Sequence, residues 1–382
     1  MTATTIPEGK SPDAVSATDE KRLKYFTARQ WQLVWWRFRR NRLGIIGAAV
    51  LCIYILIMIF AEFLAPYSSI TFDDKYVFSP PQSIRFWDNN GFSLRPFVYG
   101  VTAKRDPVTL LMVNKIDTSE RRYLHFFVRG EEYKYWNNRL IISNLHLFGV
   151  DVGTIHIFGT DRLGRDLFSR TMYATRTSLT LGVTGVLITF VVGLFMGGVA
   201  GYMGGYVDFF IQRLIELIRS IPSIPLFMGL AAALPKEWTP QTIYLMITLI
   251  LGFLGWTTLA RRIRGKLLSL RKEDYVIAAH LAGASSARII ARHMLPAFTS
   301  YIIVDIVISF PYMILSETAL SFIGLGLRPP VVSWGVLLQA AQNIEAIELA
   351  PWLFLPGLFV VFAVLSFTFL GNGLRDAADP YD

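Results

Sequence analysis

Apolar runs of about twenty residues recur along this chain, and their recurrence restricts its fold more than any other feature. Six runs reach that length, at 43–65, 176–202, 208–234, 242–260, 298–323 and 351–371. A helix of about twenty such residues crosses a hydrocarbon core of ~30 Å while satisfying all its own backbone polar groups. Of the whole chain, 53% is hydrophobic and 17% charged, whereas soluble domains carry about a quarter charged residues. The fold class expected is therefore an all-α integral membrane protein with six transmembrane helices.

Charge placement suggests its orientation. Arg261, Arg262, Arg264, Lys266, Arg271, Lys272, Arg288 and Arg292 surround the connection between the fourth and fifth runs. Lys236 is balanced by Glu237 after the third run, and Arg328 by Glu345 and Glu348 after the fifth. Short loops rich in Lys and Arg stay in the cytoplasm, so the loop at 272–296 is expected there, with both termini. This distribution accounts for the formal charge of +9 without invoking nucleic acid.

The polar segment 66–170 falls on the outer side, because long loops translocate largely regardless of charge. Its stretch "RRYLHFFVRGEEYKYW" favours short strands, so a small extracytoplasmic insert of β character is expected. Residues 1–24 read as a disordered cytoplasmic tail. They contain no apolar core of a cleavable signal, and the first run is expected to remain as an anchor. Over 25–42, Trp31, Trp35 and Phe38 recur at helical spacing among arginines. That is an amphipathic helix, either lying at the interface with its tryptophans at headgroup depth or packed on another subunit. Cys52, the only cysteine, lies inside the first run and does not report on redox compartment.

Between two of the runs stands "DYVIAAHLAGASSARIIARHMLP", from Asp274 to Pro296. It is too polar to cross a bilayer and too regular for a slack linker. Asp274 can cap a helix containing Ala278 and Ala279, and Gly283 breaks it by taking a turn other residues resist. Ser285 or Ser286 can cap a second helix with Ile289, Ile290 and Met294 on its apolar side, and Pro296 redirects the chain into the next run. The expected product is a helix–turn–helix outside the membrane, its alanines admitting close approach by a partner.

Ala278, Ala279, Gly283, Leu295 and Pro296, at these spacings, resemble the cytoplasmic "EAA" loop of ABC importer permeases, with Ile277 where that motif has glutamate. "FGTDRLGRDLFSR" (158–170), "ETALSFIGLGLRPPVVSWGVLL" (317–338) and "FLGNGLRDAADP" (369–380) resemble stretches of dipeptide and oligopeptide permeases, with Asn372 where an aspartate is usual. The resemblance implies a permease core over 171–382, working by alternating access in a bacterial inner membrane. Asp274, Ala278, Ala279, Gly283, Ala284, Ser285, Leu295 and Pro296 would then seat in a cleft of an ATPase. Its implied partners are a second homologous permease, two ATPase subunits or domains carrying ATP and Mg, and an extracytoplasmic solute-binding protein. No cofactor or metal is implied in this chain, and peptides or related small solutes are the implied cargo.

The residues themselves lack ATPase chemistry. The tail has Gly9, Lys10 and Ser11, but Thr4 stands where a phosphate-binding loop needs its first glycine. A secondary transporter or channel usually shows repeat symmetry that is absent here, and a non-transporting scaffold is the third class.

Ionisable residues inside apolar runs are functional candidates because they are costly in lipid. Asp305 and Glu317 flank Pro311 in the fifth run. Two readings stand: they line the translocation path and attract a cargo's amino group, or they form structural hydrogen bonds to a neighbouring helix. Arg213 and Glu216 are spaced to pair, and "SIPSIP" (220–225) should bend the third span. Asp161 or Asp166 can cap a short helix whose Leu167, Phe168 and Met172 face the bilayer surface, and Gly371 and Gly373 are expected to end the sixth span.

Overall fold

Asn41 closes one helix and opens the next. Its side chain accepts the Gly44 N–H at 2.9 Å, satisfying one of the donors that every helix start leaves over. In the computed structural model, which describes residues 30–88, 91–105, 107, 112–137, 141–235 and 237–378, it separates α1 (Gln30–Phe38) from α2 (Arg42–Ile59). The tail at 1–24, the first residues of the expected 25–42 helix and Lys236 lie outside the described residues. The helix expected over 25–42 thus stops at Phe38, because Arg42 already belongs to the next helix. Phe38 is turned inward, 5% exposed, and its ring lies over Gly44. The first apolar run ends at Ile59, and a separate turn, Ala61–Leu64, follows.

The segment after it folds as a four-stranded antiparallel meander of β1 (Arg85–Asp88), β2 (Gly91–Arg105), β3 (Met112–Lys134) and β4 (Ile142–Val150). The aromatic-rich stretch expected to give short strands lies mostly on one long strand, β3. Val98, Leu124, Phe148 and Ile155 form the sheet's small core, with Tyr67 and Phe168 packed against it.

Asp166 is the N-cap of the next helix, its carboxylate accepting the Ser169 N–H at 2.7 Å. That helix, α3 (Leu167–Met203), is long and continuous, so the insert ends before 170 and the second span starts earlier than 176. Leu167 and Met172 are 1% and 3% exposed. They pack into the helical bundle and Phe168 against the sheet core, where the cap expectation had placed all three at the bilayer surface.

α3 and α6 (Pro240–Leu270) pack along their lengths through small residues. Gly193, Gly197 and Gly201 recur at every fourth position of α3, and a Cβ at Gly197 would lie 2.6 Å from the Ala260 carbonyl oxygen. Within lipid, where helices have little hydrophobic reason to associate, such close backbone contact supplies the packing energy. α6 starts at a Thr239 cap with Pro240 in its first turn. It extends ten residues beyond the expected end of its run, so Arg261, Arg262, Arg264 and Lys266 sit on helical turns instead of in a loop.

The third run is not one helix. α4 (Gly205–Ser220) and α5 (Ser223–Ala232) meet at 84°. Ile221 is extended, as a residue preceding proline tends to be, and Pro222 has no N–H to continue the ladder. Among the described residues five helices are long and apolar enough to cross a membrane, or six if the bent pair counts as one. The last two lead into or form α8 (Thr299–Ile323) and α10 (Leu355–Ala378), and α9 (Trp334–Ala340) lies between them. Gly371 and Gly373 do not end the sixth run. The helix continues through both, and their missing side chains admit Ile308 of α8 and Gly44 of α2.

Candidate functional site

At the basic end of the bundle, α7 (Asp274–Leu281) projects from the end of α6. Glu273, not Asp274, occupies its N-cap position, and it makes no side-chain cap bond. Asp274 lies in the first turn, where its charge complements the helix dipole. Gly283 follows the helix with φ +78°, its N–H donating to the His280 carbonyl at 3.0 Å. A Cβ there would meet nothing within 4 Å, so glycine is needed for backbone conformation and not for space.

The second helix expected after it is composite. Ser285 precedes a single turn, Ser286–Arg288, without a side-chain cap bond; a π-helical turn, Ile289–Met294, and a 3-10 turn, Leu295–Phe298, then lead into α8. The i to i+5 repeat of the π turn brings Ile289 and Met294 to the same inner side, both 0% exposed. With Val276 and Phe298 they pack on Leu259, Ile263 and Leu267 of α6. The loop is thus anchored on one side and open on the other. Asp274, Ala278, Gly283, Ser285 and Pro296 are exposed, whereas Ala279, Ala284 and Leu295 are half-buried against the anchor. Leu281 is 81% exposed, and a cavity of about 480 Å³ opens beside it toward Tyr202 and Arg271.

Two ion pairs tie α6 to its neighbours near this loop. Arg264 is bidentate to Asp208 of α4, and Arg262 bonds Asp305 of α8. Asp305 is 5% exposed; its Oδ1 takes the Arg262 guanidinium, and its Oδ2 has no hydrogen-bond partner among the described residues. Arg213 and Glu216 pair at 2.6 Å on the exposed face of α4.

Glu317 lies toward the opposite end of α8 and is fully enclosed. Its Oε1 accepts the hydroxyls of Ser321 at 2.8 Å and Ser333 at 2.7 Å, and its Oε2 accepts Ser178 of α3 at 3.4 Å. Ser333 in turn caps α9, accepting the Val336 N–H at 3.2 Å. One carboxyl group therefore joins α3, α8 and α9. Sequence reasoning singled out Glu317 but not its serine partners, and it placed Ile289 and Met294 on an apolar side but missed the anchoring residues Val276 and Phe298. The apolar residues of an otherwise polar loop were the available signal for the latter. Among the described residues no group of His, Cys, Asp and Glu converges to hold a metal ion.

A lipid-length helical bundle with small-residue interfaces and a hinged loop anchored to its helices defines a multi-pass membrane protein. The chain belongs to the binding-protein-dependent transport system inner membrane component family, whose model matches residues 173–381. A second family model, the N-terminal TM domain of oligopeptide transport permease C, matches residues 29–81. The dipeptide transport system permease protein of Bacillus subtilis (strain 168) is 39% identical over 227 residues, 59% of this chain and 68% of that protein. The oligopeptide transport system permease protein of Haemophilus influenzae is 39% identical over 228 residues, covering 59% and 71%. The dipeptide transport system permease protein of Lactococcus lactis subsp. cremoris is 29% identical over 385 aligned residues, 98% of this chain and 96% of that protein. That last alignment runs through the sheet-bearing segment as well as the bundle.

Proposed function

We propose that this chain is the permease subunit of an ATP-driven importer that moves peptides or related small solutes across the inner membrane by alternating access. Family membership and the relatives named for dipeptide and oligopeptide transport support this reading. The observation that carries it is the loop with an exposed face at Ala278 and Leu281, a hinge at Gly283, and an inner face packed on α6. A partner gripping the exposed face moves α6 and α8 directly, because the anchor and the Arg262–Asp305 pair leave little slack between them.

In this reading the loop at 272–296 and both termini face the cytoplasm, and α4 with α5 counts as one crossing, giving six. Two ATPase subunits or domains bind ATP and Mg and seat Asp274, Ala278, Gly283, Ser285 and Pro296, while Ala279, Ala284 and Leu295 brace the loop from behind. This chain contributes no catalytic residue. A second homologous permease completes the pathway, and a solute-binding protein delivers cargo on the outer side, against the segment 66–157. Asp305 and Glu317 take the second of their two readings, as bonds between helices.

The test places Gly283→Val in the assembled transporter in vesicles. A non-glycine residue in the left-handed region costs about 1–2 kcal/mol, roughly a factor of ten in the population of the hinged conformation. Uptake is expected to fall by about that factor, with ATP hydrolysis no longer stimulated by loaded binding protein. Undiminished ATP-driven uptake would rule out the coupling role.

A further inference from the structure

The turn 161–165 and the start of α3 form one wall of a second cavity, of about 340 Å³, at the end of the bundle that carries the sheet. Its opposite wall is α9 and the residues after it, including Gln339 and Asn343. That volume falls within the roughly 300–1,000 Å³ typical of small-ligand pockets.

Its charge is unbalanced. The lining holds three guanidinium groups, Arg162, Arg165 and Arg170, and a single carboxylate, Asp161. Asp161 is 2% exposed and fully engaged: it accepts the backbone N–H of Leu163 at 2.8 Å and of Arg165 at 3.1 Å, and it pairs with the side chains of Arg165 and Arg170. These bonds fix two of the arginines in place. Arg170 is 3% exposed, and its Nε has no hydrogen-bond partner among the described residues. Arg162 is exposed, and no carboxylate pairs with it among the described residues. Arg162 therefore presents an accessible guanidinium beside two held ones, and a planar fork of donors matches a carboxylate.

We propose that this cavity binds the free C-terminal carboxylate of a short peptide, Arg162 receiving the anion beside the Asp161-held Arg165 and Arg170, while the amides of Gln339 and Asn343 face the peptide backbone. The ligand class rests on the peptide-importer reading; the preference for a carboxylate rests on the cavity alone. The site lies at the proposed outer end, where cargo enters before the bundle rearranges.

The experiment titrates trialanine and trialanine amide into the purified permease complex in nanodiscs, without binding protein, by calorimetry. The acid should bind at least about tenfold more tightly than the amide, as loss of a charge-assisted hydrogen bond predicts. Arg162→Gln should abolish that preference, and Arg162→Lys, which keeps the charge but not the fork, should retain only part of it. Equal binding of acid and amide by the unaltered complex, binding of neither, or a preference unchanged in Arg162→Gln would overturn the site. Uptake of the same peptide by the complete transporter is measured in parallel. Uptake without a carboxylate preference in the titration removes the site and leaves the importer reading. Carboxylate-dependent binding without uptake does the reverse.

Discussion

Glu317 is a charged residue type at a position with no exposure, and its neighbours explain how it is tolerated. Ser178, Ser321 and Ser333 all donate to it, and a buried carboxyl group supplied with donors avoids most of the desolvation cost of an unpaired one. Substitutions at this residue separate hydrogen bonding from charge. Glu317→Gln keeps an oxygen for Ser321 and Ser333 and should cost about 1 kcal/mol. Glu317→Leu leaves three hydroxyls without their acceptor and should cost about 3 kcal/mol or more, because each stranded buried group costs about 1–3 kcal/mol. Thermal unfolding of the detergent-purified protein reads both. Equal losses for the two variants would mean that side-chain volume, not bonding, holds this junction.

For whole elements, the α3–α6 contact offers a test in which adjacent residues should behave oppositely. A Cβ at Gly197 would lie 2.6 Å from the Ala260 carbonyl oxygen and 2.9 Å from its Cα, while one at Gly198 meets nothing within 4 Å. Backbone cannot move aside as a flexible side chain can, so Gly197→Ala should force the helices apart and lose about 1–3 kcal/mol. Gly198→Ala should gain about 0.5–1 kcal/mol from helix propensity alone. Thermal unfolding of the two variants side by side checks the signs; a loss at both positions would contradict the packing described. The same pair shows what could be read in advance. Span existence was legible because length and hydropathy are local, and the bend at Ile221 was legible because proline acts on its immediate neighbours. Glycine's use was not. Gly371 and Gly373 looked like a helix end, yet they serve close approach, and only the presence of α2 and α8 beside them distinguishes the two. The loop at 272–296 was recognisable from its spacing, but its π turn depends on packing against α6. Likewise the partners of Asp305 and Glu317 on other helices lie 43 and 139 residues away in the chain, at Arg262 and Ser178.

Across the whole molecule, the sheet and the bundle are joined at a junction that no single segment reveals. Glu62, just after α2, pairs with Arg176 of α3 and accepts the backbone N–H of Trp136, which follows β3, at 2.9 Å. The Arg176 guanidinium lies 4.6 Å from the centre of the Trp136 ring and also donates to the Met58 and Ile59 carbonyls, at 2.8 and 3.1 Å. The Tyr135 hydroxyl reaches the same Ile59 carbonyl at 2.7 Å. Arg176 thus satisfies the end of the first span, where helix carbonyls lack intrahelical partners, while Glu62 holds the sheet's far turn. A motion of the first two spans against each other must pass through this junction and reach the sheet. Glu62 and Arg176 are 4% and 13% exposed at their side chains, and removing one partner of a buried pair costs about 3–5 kcal/mol. Glu62→Ala is accordingly expected to lose about 3 kcal/mol and to speed amide hydrogen exchange in β4 as well as at the end of α2. Val150→Ala, at the far end of the same strand opposite Leu124, serves as the control and should leave exchange in α2 unchanged. Faster exchange confined to α2 in Glu62→Ala would mean that the sheet rides on the bundle without being coupled to it.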